Sequence, residues 1–127
     1  MKLYHFCPAH MVGGIQRNGL TLGKFPLLGD GHMSFIDGVQ WLTADENPMA
    51  QSWATSVLIP YSRTAYRLTV DIPMGRLRKL KTAVAFVKDL PVEQQKIVTA
   101  WAGNQNWYIY QGKIPAKWII KIEKTGA

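Results

Sequence analysis

The chain has 127 residues, of which 47% are hydrophobic and 18% are charged. That length accommodates one domain with one hydrophobic core, and the composition excludes a mainly disordered chain. No apolar run reaches the ~18 residues that a membrane-spanning helix needs. The first residues lack the apolar stretch of a signal peptide, so we expect a cytoplasmic protein. The single Cys7 has no partner for an internal disulfide.

The chain is also strongly basic, with 15 Lys and Arg against 8 Asp and Glu and a formal net charge of +7. This balance favours an anionic partner, either nucleic acid or a phosphorylated small molecule. The alternative is that the surplus basic residues only keep the protein in solution. Composition leaves both interpretations open.

The first elements in chain order are a strand and a helix. Residues 2–6 alternate and are rich in β-formers, which predicts a strand. Pro8 then opens a helix that ends at Gly19, a C-terminal cap. The apolar face of this helix consists of Met11, Val12, Ile15 and Leu20. Gly13 and Gly14 each weaken it by about 1 kcal/mol relative to alanine, so we expect close packing against the backbone there.

The next segment is rich in glycine. Residues 19–38 contain five glycines and Pro26, which predicts a long loop, and long loops in compact domains are usually functional. A short strand is predicted over residues 39–43. Asn47 and Pro48 are typical of a helix start, so a helix is predicted to continue to Trp53.

The second half of the chain is predicted to mix strands and helices. Residues 66–72 alternate clearly and predict a strand, whereas residues 76–89 fit either helix or strand. A helix is predicted over residues 91–102, ended by Gly103. Two further strands are predicted at 107–110 and 117–122, around the turn 112–115.

Strands outnumber helices in this order, and they are not spaced as regular βαβ units. The pattern therefore predicts a single α+β domain over residues 1–127. Its sheet is expected to be bent and mostly antiparallel, with flanking helices.

Common catalytic and cofactor motifs are missing from the sequence. It contains no GxxxxGK[ST] or GxGxxG phosphate cradle, and no GxSxG, HExxH or CxxC. His5, Cys7 and His10 are close in sequence, but no further cluster completes a ligand set, so we predict no metal site. The acidic residues are few and scattered, which argues against a hydrolase that uses paired carboxylates.

One constellation stands out. His5 on the first strand is followed by Gly14–Ile15 and Gly19–Leu20, a pattern that reads H-x8-G-I-x3-G-L. Residues 38–43 (GVQWLT) and residues 106–110 (NWYIY) complete it. In this order the segments resemble the ADP-ribosyltransferase superfamily, whose poly-ADP-ribose-polymerase-type members carry a His on the first strand and a helix ending in Gly-Leu. RNA 2′-phosphotransferases share that fold and also use NAD.

The resemblance implies a split, bent sheet of the ADP-ribosyltransferase type that binds NAD as a substrate. The implied reaction transfers ADP-ribose to a macromolecular acceptor, and the basic charge favours nucleic acid as that acceptor. In this family His5 would contact the ribose and the Phe6 backbone would clamp the nicotinamide. The other implied NAD-binding residues are Trp41, Leu42 and Thr43 on the second strand, with Trp53 or Tyr66 as the stacking ring.

The chain departs from the family pattern at two places. The family has glycine after the histidine, where this chain has Phe6. The catalytic glutamate falls at Asn106 or Trp107, and neither is acidic. Asn106 can hydrogen-bond a ribose hydroxyl, but it cannot compensate a developing positive charge, and losing such a group often costs about 10²–10³ in rate.

Two interpretations of this departure stay open. In the first, other groups do the chemistry, and Arg63 and Arg67 are the candidates because an arginine fork matches phosphate geometry. In the second, the chain is a non-catalytic module that recognises ADP-ribose, nucleic acid or an acidic protein.

The segment from Arg76 to Lys88 is basic, and it is either a solvated face or a tether for an acidic or nucleic-acid partner. The enzymatic interpretation requires His5 to lie next to residues 40–43 at a groove that admits a dinucleotide.

Overall fold

The computed structural model describes residues 1–29, 32–47, 63–100 and 106–126. In these residues the chain has an α+β fold built on a six-stranded sheet in which every neighbouring pair is antiparallel. The strands of this sheet are β1 (Lys2–Cys7), β4 (Val39–Thr43), β5 (Tyr66–Asp71), β6 (Leu80–Thr82), β7 (Trp107–Gln111) and β8 (Ile119–Lys124). Their order across the sheet is β6-β7-β4-β1-β5-β8. The predicted α+β class and the mostly antiparallel sheet are confirmed.

Three α-helices and a separate hairpin complete the described fold. The helices are α1 (Val12–Asn18), α2 (Ala83–Phe86) and α3 (Val92–Ala100), and short 3₁₀ turns precede or follow the first two. The hairpin pairs β2 (Lys24–Gly29) with β3 (His32–Asp37). None of the described helices combines the length and apolarity needed to cross a membrane.

The alternation of side chains along the strands gives the sheet two apolar faces. On one face, Leu3, Leu42 and Leu68 are buried with Ile15 of α1. On the other, Val39 and Ile109 are buried with residues of β2, α2 and α3. Each face therefore has its own core, and each core is closed by different elements.

The predicted loop over residues 19–38 is wrong, because most of it forms the β2–β3 hairpin. Phe25 is buried and pairs in register with Ile36, and the side chain of Trp41 packs against it. A sequence signal for this hairpin exists, since Asp30–Gly31 is a typical turn dipeptide between two apolar runs. The glycines and Pro26 of this segment are more typical of a loop and led to the wrong prediction. Proline is nevertheless tolerated on the edge strands of a sheet.

The helix prediction for residues 8–19 is confirmed in its main part and its C-terminal cap. Gly19 caps α1 with φ 77°, and its N–H donates to Ile15 O at 2.8 Å. The close packing expected at Gly14 is wrong, because a Cβ there would meet nothing within 4 Å. A Cβ on Gly13 would lie 3.4 Å from Arg17 Nη1, the flexible end of a side chain of the same helix. A Cβ on Gly19, in contrast, would collide with the Ile114 carbonyl oxygen.

The remaining elements follow the predicted order with two refinements. The ambiguous segment 76–89 resolves into a 3₁₀ turn (Met74–Lys79), β6, α2 and a second 3₁₀ turn. Strands β7 and β8 flank the predicted turn but do not pair with each other, because β8 pairs with β5 at the far edge of the sheet. The helix predicted to run to Trp53 and the cap at Gly103 lie outside the described residues.

Candidate functional site

Strand β1 is joined very differently to its two neighbours. Its ladder with β5 runs over six register pairs, from Lys2–Asp71 to Cys7–Tyr66. In the described residues its ladder with β4 has the single register pair Tyr4–Thr43. In the described residues the two central strands of the sheet therefore share one register pair, and His5 is the next β1 residue after it.

The His5 side chain bridges this interrupted pair of strands. Its Nδ1 lies 2.8 Å from the carbonyl oxygen of Trp41 on β4. Because a carbonyl oxygen can only accept, Nδ1 carries the proton and donates it. In a neutral ring the lone pair is then on Nε2, which is left as a hydrogen-bond acceptor.

Burial keeps this imidazole in its neutral form. Desolvation lowers the pKa of His5 below its ordinary value, and the hydrogen bond to Trp41 opposes that shift only in part. A neutral ring with a fixed Nδ1 proton presents Nε2 to a donor such as a sugar hydroxyl. The arrangement suits hydrogen-bond recognition, and it is poorly suited to donating a proton from Nε2.

The three predicted binding residues of β4 have separate surroundings. The Trp41 ring stacks on Phe25 with centroids 5.2 Å apart, and its Nε1 donates to Lys24 O at 2.9 Å. Leu42 is fully buried in the core that includes Leu3. The Thr43 hydroxyl accepts from the Asp45 N–H at 3.1 Å. The Trp41 side chain therefore fixes the hairpin to the sheet.

The predicted residues on β1 and β5 divide between the two faces of the sheet. Phe6 is buried and is the register partner of Arg67, so their side chains lie on the same face. Tyr66 pairs with Cys7 and packs against the core on the opposite face, where His5 also belongs by alternation. Trp53 lies outside the described residues.

Arg67 is the centre of a polar cluster that sequence reasoning missed. Its NH1 donates to Glu46 O at 2.8 Å, and its NH2 lies 3.1 Å from Glu123 Oε1. Its guanidinium also lies 5.8 Å from the centroid of the Tyr4 ring. The Tyr4 hydroxyl lies 3.4 Å from Glu46 Oε2.

Through these contacts Arg67 holds the Glu46 backbone next to β5 and β8. Both terminal nitrogens have protein partners, and its Nε is buried without a hydrogen-bond partner among the described residues. Hydrogen bonds from Arg67 and Lys121 lower the pKa of Glu123. No local sequence signal marks this cluster, because Arg67 and Glu123 become register partners only when β5 pairs with β8.

Asn106 lies directly before β7, at the same end of the sheet as Glu46. Its carbonyl oxygen accepts from the Ala44 N–H at 2.8 Å, which extends the β4–β7 ladder by one step beyond Thr43–Trp107. Glu46 follows Ala44 by two residues and has an exposed side chain. The position that lacks a carboxylate is therefore beside a segment that carries one. Arg63 is half-buried in the turn before β5.

A second buried polar group lies on β4. The Gln40 side chain is 2% exposed, and its Oε1 accepts from the Gly23 N–H at 3.1 Å. Its amide nitrogen is buried with no partner in the described residues. This hydrogen bond ties the segment before β2 to β4, and a side chain at Gly23 would collide with Val39 O.

Comparison of the chain with protein-family models, with curated proteins and with solved structures finds no match in any of the three. In the described residues no group of three or more His, Cys, Asp or Glu side chains is placed to hold a metal ion.

Proposed function

We propose that the chain is an ADP-ribosyltransferase-like protein. It binds NAD where β1 and β4 separate, and it transfers ADP-ribose to a macromolecular acceptor. One observation carries the proposal. The three segments that bear the resemblance lie on the adjacent strands β1, β4 and β7, and the β1–β4 ladder stops at the histidine.

The chemistry of NAD recognition matches this interrupted ladder. Nicotinamide is an amide that backbone N–H and C=O groups can grip at a strand edge. Beyond Tyr4–Thr43 no register pair joins β1 to β4 in the described residues, and Phe6 is the next β1 residue after His5. The backbone of Phe6 takes the amide, and Nε2 of His5 accepts from a ribose hydroxyl.

Glu46 supplies the carboxylate that the family position lacks. Cleavage of the glycosidic bond develops positive charge on the ribose, and a nearby carboxylate stabilises it. Asn106 is neutral, whereas Glu46 follows the Ala44 N–H that Asn106 O binds. Arg67 holds the Glu46 backbone and the Tyr4 hydroxyl lies near its side chain, so this carboxylate is positioned by two neighbours.

A second candidate function is a non-catalytic module that binds ADP-ribose at the same place. The observation that favours it is the amide side chain of Asn106 where the family has glutamate. Both candidates require a ligand at His5, and only the first requires Glu46 for turnover.

Thermal unfolding with NAD or ADP-ribose tests the shared step. A ligand at 100 times its Kd stabilises the folded state by about 2.7 kcal/mol, so the melting temperature should rise in the native protein. It should rise less in His5→Ala and normally in His10→Ala, the matched control in the 3₁₀ turn before α1. No rise at millimolar NAD or ADP-ribose contradicts both candidates.

Release of nicotinamide from NAD separates the two candidates. The enzyme should release it, and Glu46→Gln should lose most of this activity while its melting temperature still responds to NAD. Binding without any release identifies the module. Equal release by Glu46→Gln and the native protein shows that another group carries the charge.

A further inference from the structure

The positive charge of this protein is concentrated in one segment. Residues 72–88 contain five basic residues and no acidic one, which leaves ten basic against eight acidic residues in the rest of the chain. Five of the seven net charges therefore lie within 17 residues. The basic members are Arg76, Arg78, Lys79, Lys81 and Lys88.

The fold holds this segment rigidly at the edge of the sheet. The 3₁₀ turn Met74–Lys79 leads directly into β6, which is the last strand on its side of the described sheet. Leu77 and Leu80 pack against the core. Leu77 lies in the turn and Leu80 begins β6. The basic side chains between and beside them are exposed or half-exposed.

The charges of this surface are not neutralised within the described residues. Arg76, Arg78, Lys81 and Lys88 are exposed, and Lys79 is half-exposed. In the described part of the chain, none of the salt bridges involves any of the five. A Cβ on Gly112 would lie 3.8 Å from Lys79 Nζ, which brings the exposed Lys113 of the following turn next to the same surface.

We propose that the surface formed by Arg76, Arg78, Lys79, Lys81 and Lys113 (the β6-edge surface) binds the phosphate backbone of double-stranded nucleic acid. A run of exposed cations that form no salt bridge within the described residues can contact several phosphates, and binding releases the counterions that the phosphates hold. Contacts of this kind position a protein on nucleic acid without reading its sequence.

The aromatic residues favour a duplex over a single strand. Proteins that bind single strands combine basic grooves with exposed rings on which bases stack. Among the described aromatic residues only Phe35 has an exposed side chain, and it lies on the separate hairpin. In the described part of the chain the β6-edge surface has charge without exposed rings, so it contacts phosphates and leaves the bases paired.

The binding itself does not depend on NAD. Its consequence rests on the proposed function: the acceptor of ADP-ribose would then be a nucleic acid. Failure of the two can be distinguished because nucleic-acid binding is measured without NAD, and NAD binding without nucleic acid.

The test is the salt dependence of binding to a fluorescent 20-base-pair DNA duplex. The slope of log K against log[KCl] is about −0.9 per phosphate contact, so about five contacts predict a slope of about −4.5. The double variant Arg78→Ala/Lys81→Ala should reduce the slope by about two units. The control Lys2→Ala/Lys124→Ala removes the same charge from β1 and β8 and should keep the native slope.

Three further arms complete the experiment. The charge-preserving variant Arg78→Lys/Lys81→Arg should bind like the native protein. The single strands of the duplex and polyglutamate of equal charge should compete less well than the duplex. The proposal is overturned by absent or salt-independent binding, by equal loss in both double alanine variants, or by polyglutamate competing as well as the duplex. The last result identifies an acidic protein as the partner.

Discussion

The two sides of β1 differ in how they are built. Toward β5 the strand pairs along its whole length, and the side chains of Leu3, Leu68 and Val70 are fully buried there. Toward β4 it pairs once, and a histidine side chain takes the place of the next backbone contact. A continuous ladder stabilises the fold, whereas an interrupted ladder leaves backbone hydrogen-bonding groups of the two central strands without their regular strand partner, and there we propose that NAD binds.

The largest effect on the free energy of unfolding is expected on the β5 side of β1, where the ladder is continuous. Leu68→Ala removes a fully buried side chain and should lower the free energy of unfolding by about 2–5 kcal/mol. The matched change Asp71→Asn, at the surface end of the same strand, should alter it by less than about 1 kcal/mol. Urea unfolding measures both. Equal losses would show that the β5 side does not dominate stability.

The continuous β1–β5 ladder should also protect the Cys7 thiol from chemical modification. Its side chain is buried, and burial raises the pKa of the thiol from 9.0 to about 11. At pH 8 the thiolate fraction is then about a hundredfold smaller than for an ordinary thiol, so the native protein should react slowly with a thiol reagent. Urea should restore the rate. Fast reaction in the native state would mean that the β1–β5 ladder opens readily.

The interrupted side should respond to acid. The pKa of His5 is lower in the folded protein than its ordinary value of 6.5, so the unfolded chain binds the proton first. Stability is then fully present above pH 6.5 and falls as the pH drops below that value. His5→Phe should remove this dependence and cost about 0.5–1.5 kcal/mol at neutral pH for the lost hydrogen bond.

Unfolding curves between pH 8 and pH 5 measure this effect. His10→Phe is the control and should retain the native acid response. An acid response that persists unchanged in His5→Phe would assign it to another group.

The smallest effect is expected at Gly14. A Cβ there meets nothing within 4 Å, so Gly14→Ala should stabilise α1 by about 0.5–1 kcal/mol. Gly19→Ala is the contrasting change, because its Cβ would collide with the Ile114 carbonyl oxygen. Thermal unfolding distinguishes the two. Destabilisation by Gly14→Ala would show that the helix backbone is approached more closely than the structure indicates.

Local sequence patterns predicted the strands in which alternating apolar residues indicate a buried face. The alternation in residues 2–6 and 66–72 predicts β1 and β5, because one face of each is apolar and buried. The β2–β3 hairpin was missed because its glycines and Pro26 are typical of loops, while Trp41, the ring that stacks on Phe25, lies on another strand. Which strands become neighbours depends on contacts distant in sequence, so β8 beside β5 was not predictable.

Only part of the candidate site was predicted from the sequence. His5 and residues 41–43 were identified because the glycine spacing resembles a known pattern, and the structure brings His5 to Trp41. Tyr4, Glu46 and Glu123 were missed because each is unremarkable in its own segment. Their connection to Arg67 exists only once β1, β5 and β8 are side by side.

The central claim is that the His5 ring binds NAD through Nε2 where β1 and β4 separate. Nitrogen-15 NMR of the histidine rings during an NAD titration tests it directly. We expect a protonated Nδ1 and an unprotonated Nε2 in the free protein, with a saturable shift of the Nε2 resonance as NAD is added. An Nε2 resonance that stays unchanged at millimolar NAD would contradict it.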